Sequence, residues 1–327
     1  MKLELGAETF EYSTPFSIKD YVFTNAEVVV VTVREGACSG WGEASGVYYH
    51  GETPRGMIEQ IEAVRSRIEM GVDRAALREL LPPGGARNAV DAALWDLEAK
   101  QHGQPVWELA GTQVPRVLRT TFTVSTGTPQ EMADAALQYR SAKAIKLKIT
   151  DEDPVGCVRA VRAARPDVWL GVDANQALSR ATLEKILPDL IASGVRLIEQ
   201  PVPRGQDGDL EGLDCPIAIA ADESVQTSAD LAGLLGRYHV VNIKLDKCGG
   251  LTEGLAMARG ARRLGLNVMV GCMSGTSLAI APAFVLAQLC DLVDLDGPVF
   301  LREDREPPAT YNQGGIWCPE ELWGAPG

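Results

Sequence analysis

The chain has 327 residues, 46% hydrophobic and 23% charged, enough to bury a sizeable core and too apolar for long disorder. Its formal net charge of −13 argues against nucleic acid or an anionic membrane surface as a partner. No apolar run approaches the ~20 residues that span a bilayer. MKLELGAETFEY has no basic, then apolar, leader pattern, and the seven cysteines are scattered without a CxxC, so a reduced, cytoplasmic protein is expected.

Taken in chain order, residues 2–11, 27–33 (EVVVVTV) and 40–44 read as strands of a small antiparallel meander, the last two turned at Arg34-Glu-Gly. Residues 53–70 and 86–101 (ARNAVDAALWDLEAKQ) carry helical spacing, with Gly103 just past the second. These elements form an α+β module over residues 1–112. From about residue 117 the pattern changes to eight β-rich runs separated by helical stretches: LRTTFTVS, AIKLKIT, VWLGVDAN, VRLIEQP, IAIAADES, VVNIKLDK, NVMVGCM and LVDLDGP. Their ends fall near 124, 148, 173, 199, 222, 244, 271 and 294, the length one strand, one helix and two loops require. Eight parallel βα units with right-handed crossovers close into a barrel. An open doubly wound sheet would show a Gly-rich phosphate turn, and there is no GxGxxG. The expected fold class is therefore α/β: a (β/α)₈-type barrel over 113–297, with the N-terminal module capping it and the tail, 298–327, packing back on that cap.

In such a barrel the active site lies at the C-terminal strand ends. Nearly every end carries an ionisable residue: Lys146 and Lys148, Asp173, Glu199, Asp222, Lys244, then Asp294 and Asp296. Any one alone reads as a loop charge; together they converge on one mouth. Asp173, Glu199 and Asp222 come from three successive strands about 4.8 Å apart. Unpaired they would repel one another, and a hard divalent cation, Mg²⁺ by ligand type, would relieve that repulsion. Lys146 and Lys148, two apart on a strand, both point inward. Crowding of two ammoniums beside a cation favours a neutral amine on one of them, which is a general base. Lys244 lies four strands away, so two lysines face a substrate from opposite sides. That is a proton-transfer site for a carbon next to a carboxylate.

RNAVDAALWDLEAK, KLK, DAN, EQP, ADES and VNIKLDKCGGLTEG, spread over the whole chain, resemble the enolase superfamily and its muconate-lactonising subgroup. DLDGP resembles the dipeptide epimerases, of which the L-Ala-D/L-Glu epimerases are the best known. The resemblance implies Lys148 and Lys244 as the two bases, Lys146 tuning Lys148, and Asp173, Glu199 and Asp222 as Mg²⁺ ligands. It implies that Asp294 and Asp296 bind the α-ammonium of a dipeptide. In the Ala-Glu enzymes an arginine a few residues after Thr-Pro-Phe meets the substrate's side-chain carboxylate. TPFSIKDYVFTNAE has none; Phe23 falls there, with Tyr21 and Val22 beside it, Asp20 adjacent and Lys19 shifted along the loop. Phe23 and Tyr21 are therefore expected to line the side-chain pocket. The expected activity is epimerisation at the C-terminal residue of a dipeptide with an uncharged, hydrophobic side chain. A cationic residue paired with Asp20 or Glu52 is the second choice. Tyr48, Tyr49 and His50 of the next capping loop either line the pocket or decorate the surface. Alternatives are an L-Ala-D/L-Glu epimerase, an N-succinylamino-acid racemase or o-succinylbenzoate synthase, and, from another class, a catalytically silent ligand-binding barrel. The expected partner is a small dipeptide, and a homo-oligomer is compatible with the sequence.

Overall fold

A computed structural model describes residues 1–18 and 21–327. Two long antiparallel strands, β1 (Lys2–Ile18) and β2 (Tyr21–Glu35), pair from Lys2↔Arg34 to Glu11↔Asn25 and again from Phe16↔Phe23 to Ile18↔Tyr21. The irregularity between Glu11 and Phe16 is a bulge, which bends the hairpin. The hairpin therefore extends beyond the strands expected at 2–11 and 27–33, through residues 12–18 and 21–26. Strand β3 (Cys38–Ala44) completes the sheet. Then come α1 (Pro54–Ala63), capped by Thr53, α2 (Arg65–Glu69), α3 (Arg74–Leu80), α4 (Gly85–His102) and α5 (Val106–Leu109). Helix α4 is buried almost all round because it lies between the cap sheet and the barrel. The sheet approaches it so closely that a Cβ at Gly40 would lie 2.0 Å from Ala93 O.

After β4 (Leu118–Arg119) come the barrel strands β5 (Phe122–Val124), β6 (Ala144–Lys148), β7 (Trp169–Asp173), β8 (Val195–Glu199), β9 (Ala218–Ala221), β10 (Val240–Lys244), β11 (Asn267–Gly271) and β12 (Leu292–Asp294). Each is parallel to its neighbour in chain order, and the Thr121 N–H donates to Val293 O at 3.0 Å to close the ring. Helices α6 (Pro129–Gln138), α7 (Pro154–Ala164), α8 (Arg180–Ala192), α9 (Leu245–Cys248) with α10 (Leu251–Arg263), and α11 (Ser277–Ala287) form the outer layer. Two crossovers differ from the regular βα repeat. Asp207–Leu210 and Ser228–Leu234 form only 3₁₀ turns. No helix follows β12; the chain enters a 3₁₀ turn, Gly297–Phe300, and then the tail. Inside the barrel, Leu197, Ala220, Val240 and Met269 pack into one apolar layer, leaving the ionisable strand ends above it.

The tail forms β13 (Thr310–Asn312) and β14 (Gly315–Trp317), and β14 pairs with β4. Arg305 meets Glu43 at 2.7 Å and Glu8 at 2.8 Å, and Trp323 Nε1 donates to Trp41 O at 2.9 Å. Among the described residues no helix is long and apolar enough to cross a membrane.

Candidate active site

The strand register assembles the site. Lys148 is the cross-strand partner of Asp173, and Asp173 of Glu199. Lys148 Nζ donates to Asp173 Oδ2 at 2.6 Å and Asn175 Oδ1 at 3.0 Å. Lys244 Nζ, across the mouth, donates to Asp222 Oδ2 at 2.7 Å. Lys146 Nζ donates to Asp294 and reaches Glu199 Oε2 at 3.3 Å and Asp173 Oδ2 at 3.7 Å. All of these side chains are buried except Asn175, which is half-buried.

The electrostatics follow from that packing. Burial alone would pull Lys146 and Lys244 toward the neutral amine. The carboxylates of Asp294, Glu199 and Asp173 around Lys146, and of Asp222 and Glu199 around Lys244, more than offset it, and both stay well above the usual lysine range. Around Lys146 the carboxylates thus outweigh both burial and the ammonium of Lys244. Burial and the Asp173 charge push Glu199 up to about 7, and burial and Asp222 do the same for Glu223. Burial would also raise Asp222, but Lys244 and Lys247 hold it far below the carboxylate range.

Asp173, Glu199 and Asp222 therefore converge, but each is drawn onto a lysine. Among the described residues, no three His, Cys, Asp or Glu side chains stand ready as a ligand cage. Their chemistry nevertheless suits a hard cation. They are all-oxygen donors, buried, and mutually repulsive at Glu199. Asn242 Oδ1 and Glu223 Oε2 are buried beside them without a partner.

Asp294 and Asp296 line the same chamber as Lys146, Lys148 and Lys244. Burial opposes ionisation of Asp294, but Lys146 and Thr121 hold it low. Burial and the Asp294 charge push Asp296 up to about 6, although it accepts the Thr123 N–H at 2.6 Å. The outer wall is aromatic: Tyr12, Phe16, Phe23, Tyr48 and Phe300, with Ile18. Phe23 stands where the sequence placed it. Tyr21 does not reach the chamber: it is 43% exposed and stacks on the outside of Phe23 at 6.0 Å. Two apart on β2, the two rings share one face of the strand, and Tyr21 sits nearer the hairpin tip, beyond the rim of the chamber. Tyr48 lines the chamber. Tyr49 is packed behind it, and His50 faces outward, 3.4 Å from Arg204. Lys19 and Asp20 lie outside the described residues. Glu52 lines a neighbouring hollow with Phe23 and Tyr48.

Several site residues were not singled out from sequence. Lys247 donates to Asp222 Oδ1 at 2.5 Å; its signal was the spacing of three after Lys244, one helical turn on. Asn242 donates to Glu199 Oε1 at 2.7 Å, and Gln200, in a left-handed conformation at φ 35°, accepts the Asp222 N–H at 2.9 Å. Tyr12, Phe16 and Phe300 carried no local signal.

Comparison with known proteins agrees with this architecture. Residues 5–111 match the mandelate racemase/muconate lactonizing enzyme N-terminal domain, and residues 130–325 the enolase C-terminal domain-like model. The chain is 41% identical to the L-Ala-D/L-Glu epimerase of Escherichia coli over 94% of this chain and 97% of that one. An enolase family member from Agrobacterium tumefaciens with homology to dipeptide epimerases, crystallised with sodium and L-Ala-L-Glu, superimposes with a TM-score of 0.95. It is 42% identical, over 98% of this chain and 99% of that one. The dipeptide epimerase of Cytophaga hutchinsonii, complexed with Mg and D-Ala-L-Val, superimposes with a TM-score of 0.91 at 26% identity, over 97% and 92%. Both halves of the chain thus carry the same family signature, and the protein belongs to the mandelate racemase/muconate lactonizing enzyme family of the enolase superfamily.

Proposed function

We propose that this enzyme is a Mg²⁺-dependent dipeptide epimerase that moves a proton off and onto the α-carbon of the C-terminal residue. The observation that carries this reading is the placement of Lys148 and Lys244. They enter one chamber from strands four apart, and Asp294 and Asp296 line that same chamber. Asp173, Glu199 and Asp222 would hold the cation, which when bound neutralises the charge that develops on the substrate carboxylate as the α-proton leaves. One lysine enters the cycle as the free amine and removes the proton from one face of the α-carbon. The other enters as the ammonium and delivers a proton to the opposite face, so the two exchange protonation states with each turnover. Lys146, bridging Asp294, Glu199 and Asp173, keeps the positive charge near Lys148 fixed. Asp294 and Asp296 hold the substrate ammonium, and Tyr12, Phe16, Phe23, Tyr48 and Phe300 shield the reacting carbon from water.

The same wall favours an uncharged, hydrophobic side chain on the epimerised residue. Phe23 and Tyr48 meet edge to face at 5.1 Å, and apolar area buried there gains roughly 25 cal/mol per Å². A carboxylate against such a wall would lose its water without a bidentate partner. Incubation with Mg²⁺ and dipeptide pools in D₂O, read by mass, tests the reaction. Deuterium should enter dipeptides with a free N-terminus; incorporation only into N-acyl amino acids would instead identify an acylamino-acid racemase.

A further inference from the structure

A second hollow adjoins the catalytic chamber, and Thr123 and Phe300 line both. It is bounded by Ser13–Pro15 of β1, by Val124 and the loop 125–127 after β5, and by Met132 and Ala135 of α6 with Tyr139 just past its end. We propose that this groove receives the side chain of the substrate's N-terminal residue, so that the enzyme accepts dipeptides beginning with a long, uncharged residue.

The inference rests on the dipeptide reading and on four features of the fold. Asp296 accepts the Thr123 N–H at 2.6 Å, so an ammonium held by the Asp294–Asp296 pair stands beside Thr123. The first α-carbon is one bond from that ammonium, and its side chain therefore starts where the two hollows meet. The bulge of β1 makes the room: residues 12–15 lie between the partners of Asn25 and Phe23, and Ser13 Oγ donates to Leu301 O at 3.1 Å instead of lining up with β2. Further along, the Thr126 N–H donates to Ser17 O at 3.2 Å and ties the hairpin to the β5–α6 loop, while Tyr139 Oη donates to Thr123 O at 3.3 Å. The lining chemistry selects the occupant. Among the described residues its one charged group is Glu131, which already accepts the Thr128 N–H and Oγ–H, both at 2.8 Å. The remaining hydroxyls, Met132, Tyr139 and Val299 suit leucine, methionine or glutamine better than a charged side chain.

The test compares kcat/KM for L-Ala-L-Leu, L-Leu-L-Leu, L-Met-L-Leu and L-Gln-L-Leu in the wild type and in Ala135→Trp, which fills the groove from the helix side. The wild type should process the long first residues at least as well as alanine. Ala135→Trp should lower the ratio of long-residue to alanine substrates by roughly 10- to 200-fold, the range that hydrophobic pocket discrimination spans. A ratio taken within one protein cancels any loss of folded enzyme. Turnover of L-Ala-L-Leu with an unmoved ratio, or a wild type that rejects long first residues, overturns the groove assignment alone. Absence of α-proton exchange with every dipeptide overturns the dipeptide reading and the groove with it.

Discussion

Lys148 and Asp173 are joined twice: their backbones are register partners across β6 and β7, and Lys148 Nζ lies 2.6 Å from Asp173 Oδ2. A presumptive base and a presumptive cation ligand are therefore placed by a single strand pairing. A one-residue slip of either strand would turn its own member of the pair out of the barrel and separate the two, so the chemistry depends directly on sheet register.

Glu199 offers the cleanest test of the cation. It is fully buried and crowded by Asp173, so Glu199→Gln removes repulsion when no cation is bound. The expected variant is at least as stable as wild type in EDTA but inactive. Saturating Mg²⁺ should stabilise the wild type by about 3–4 kcal/mol at 100 to 1,000 times Kd, and the variant much less. An equal Mg²⁺-induced rise in Tm in both proteins would remove Glu199 from the ligand set.

If each lysine serves one face, Lys148→Ala and Lys244→Ala each stop epimerisation, by at least ~10²-fold for a lost acid–base group. Each variant should still exchange the α-proton of one stereoisomer with D₂O, and the two should retain opposite isomers. A single variant that interconverts both isomers at the wild-type rate refutes the two-base mechanism.

The aromatic wall sets a preference order. L-Ala-L-Leu and L-Ala-L-Phe should exceed L-Ala-L-Glu in kcat/KM, and Phe23→Arg, which replaces a ring packed against Tyr21 and Tyr48 with a guanidinium, should reverse that order. Steady-state kinetics on the three dipeptides in both proteins decide it; a wild type that favours L-Ala-L-Glu contradicts the assignment of this wall to hydrophobic side chains.

Asp246, two residues past Lys244, accepts the N–H groups of Ser45 (3.2 Å) and Gly46 (3.1 Å), anchoring the loop that carries Tyr48. Burial, with Glu52 nearby, pushes it up to about 7. The folded state thus holds this proton more tightly than the unfolded chain, whose carboxyl titrates near 3.8. Stability should fall as pH rises from about 4 to about 7 and then level off, by an amount of order 2–4 kcal/mol. Asp246→Asn keeps the acceptor oxygen and cannot ionise, so its Tm advantage over wild type should be larger at pH 8 than at pH 5. An advantage independent of pH would show that Asp246 does not titrate in this range.

The barrel was legible because eight β-rich runs recur at a regular interval, most of them ending at an ionisable residue, and parallel strands leave little freedom about where those ends point. The hairpin was not. Pro15 and the polar residues around it look like a loop, and the bulge that lets β1 continue past Pro15 to Ile18 is a tertiary accommodation. Tyr21 shares a face of β2 with Phe23 but lies two residues nearer the hairpin tip, outside the chamber that Phe23 lines. The missing helices between β8 and β10 fall where glycine, proline and aspartate are dense, as in PVPRGQDGD, a composition that should have lowered the expectation of a helix. Tyr12 and Phe300 meet at 6.2 Å from nearly opposite ends of the chain, a contact no local pattern announces.

The hydrogen bond from Trp323 to Trp41, with Gly324 bonded to Asp96, joins residues more than 200 positions apart. The cap precedes the barrel in the chain and so leaves the ribosome before it, yet its sheet and α4 cannot acquire these partners until the whole barrel and residues 310–324 have been synthesised. During translation the early cap must therefore wait with that seam open. Maturation should end with the two tryptophans coming together, so their fluorescence would report completion of the fold after the barrel has formed.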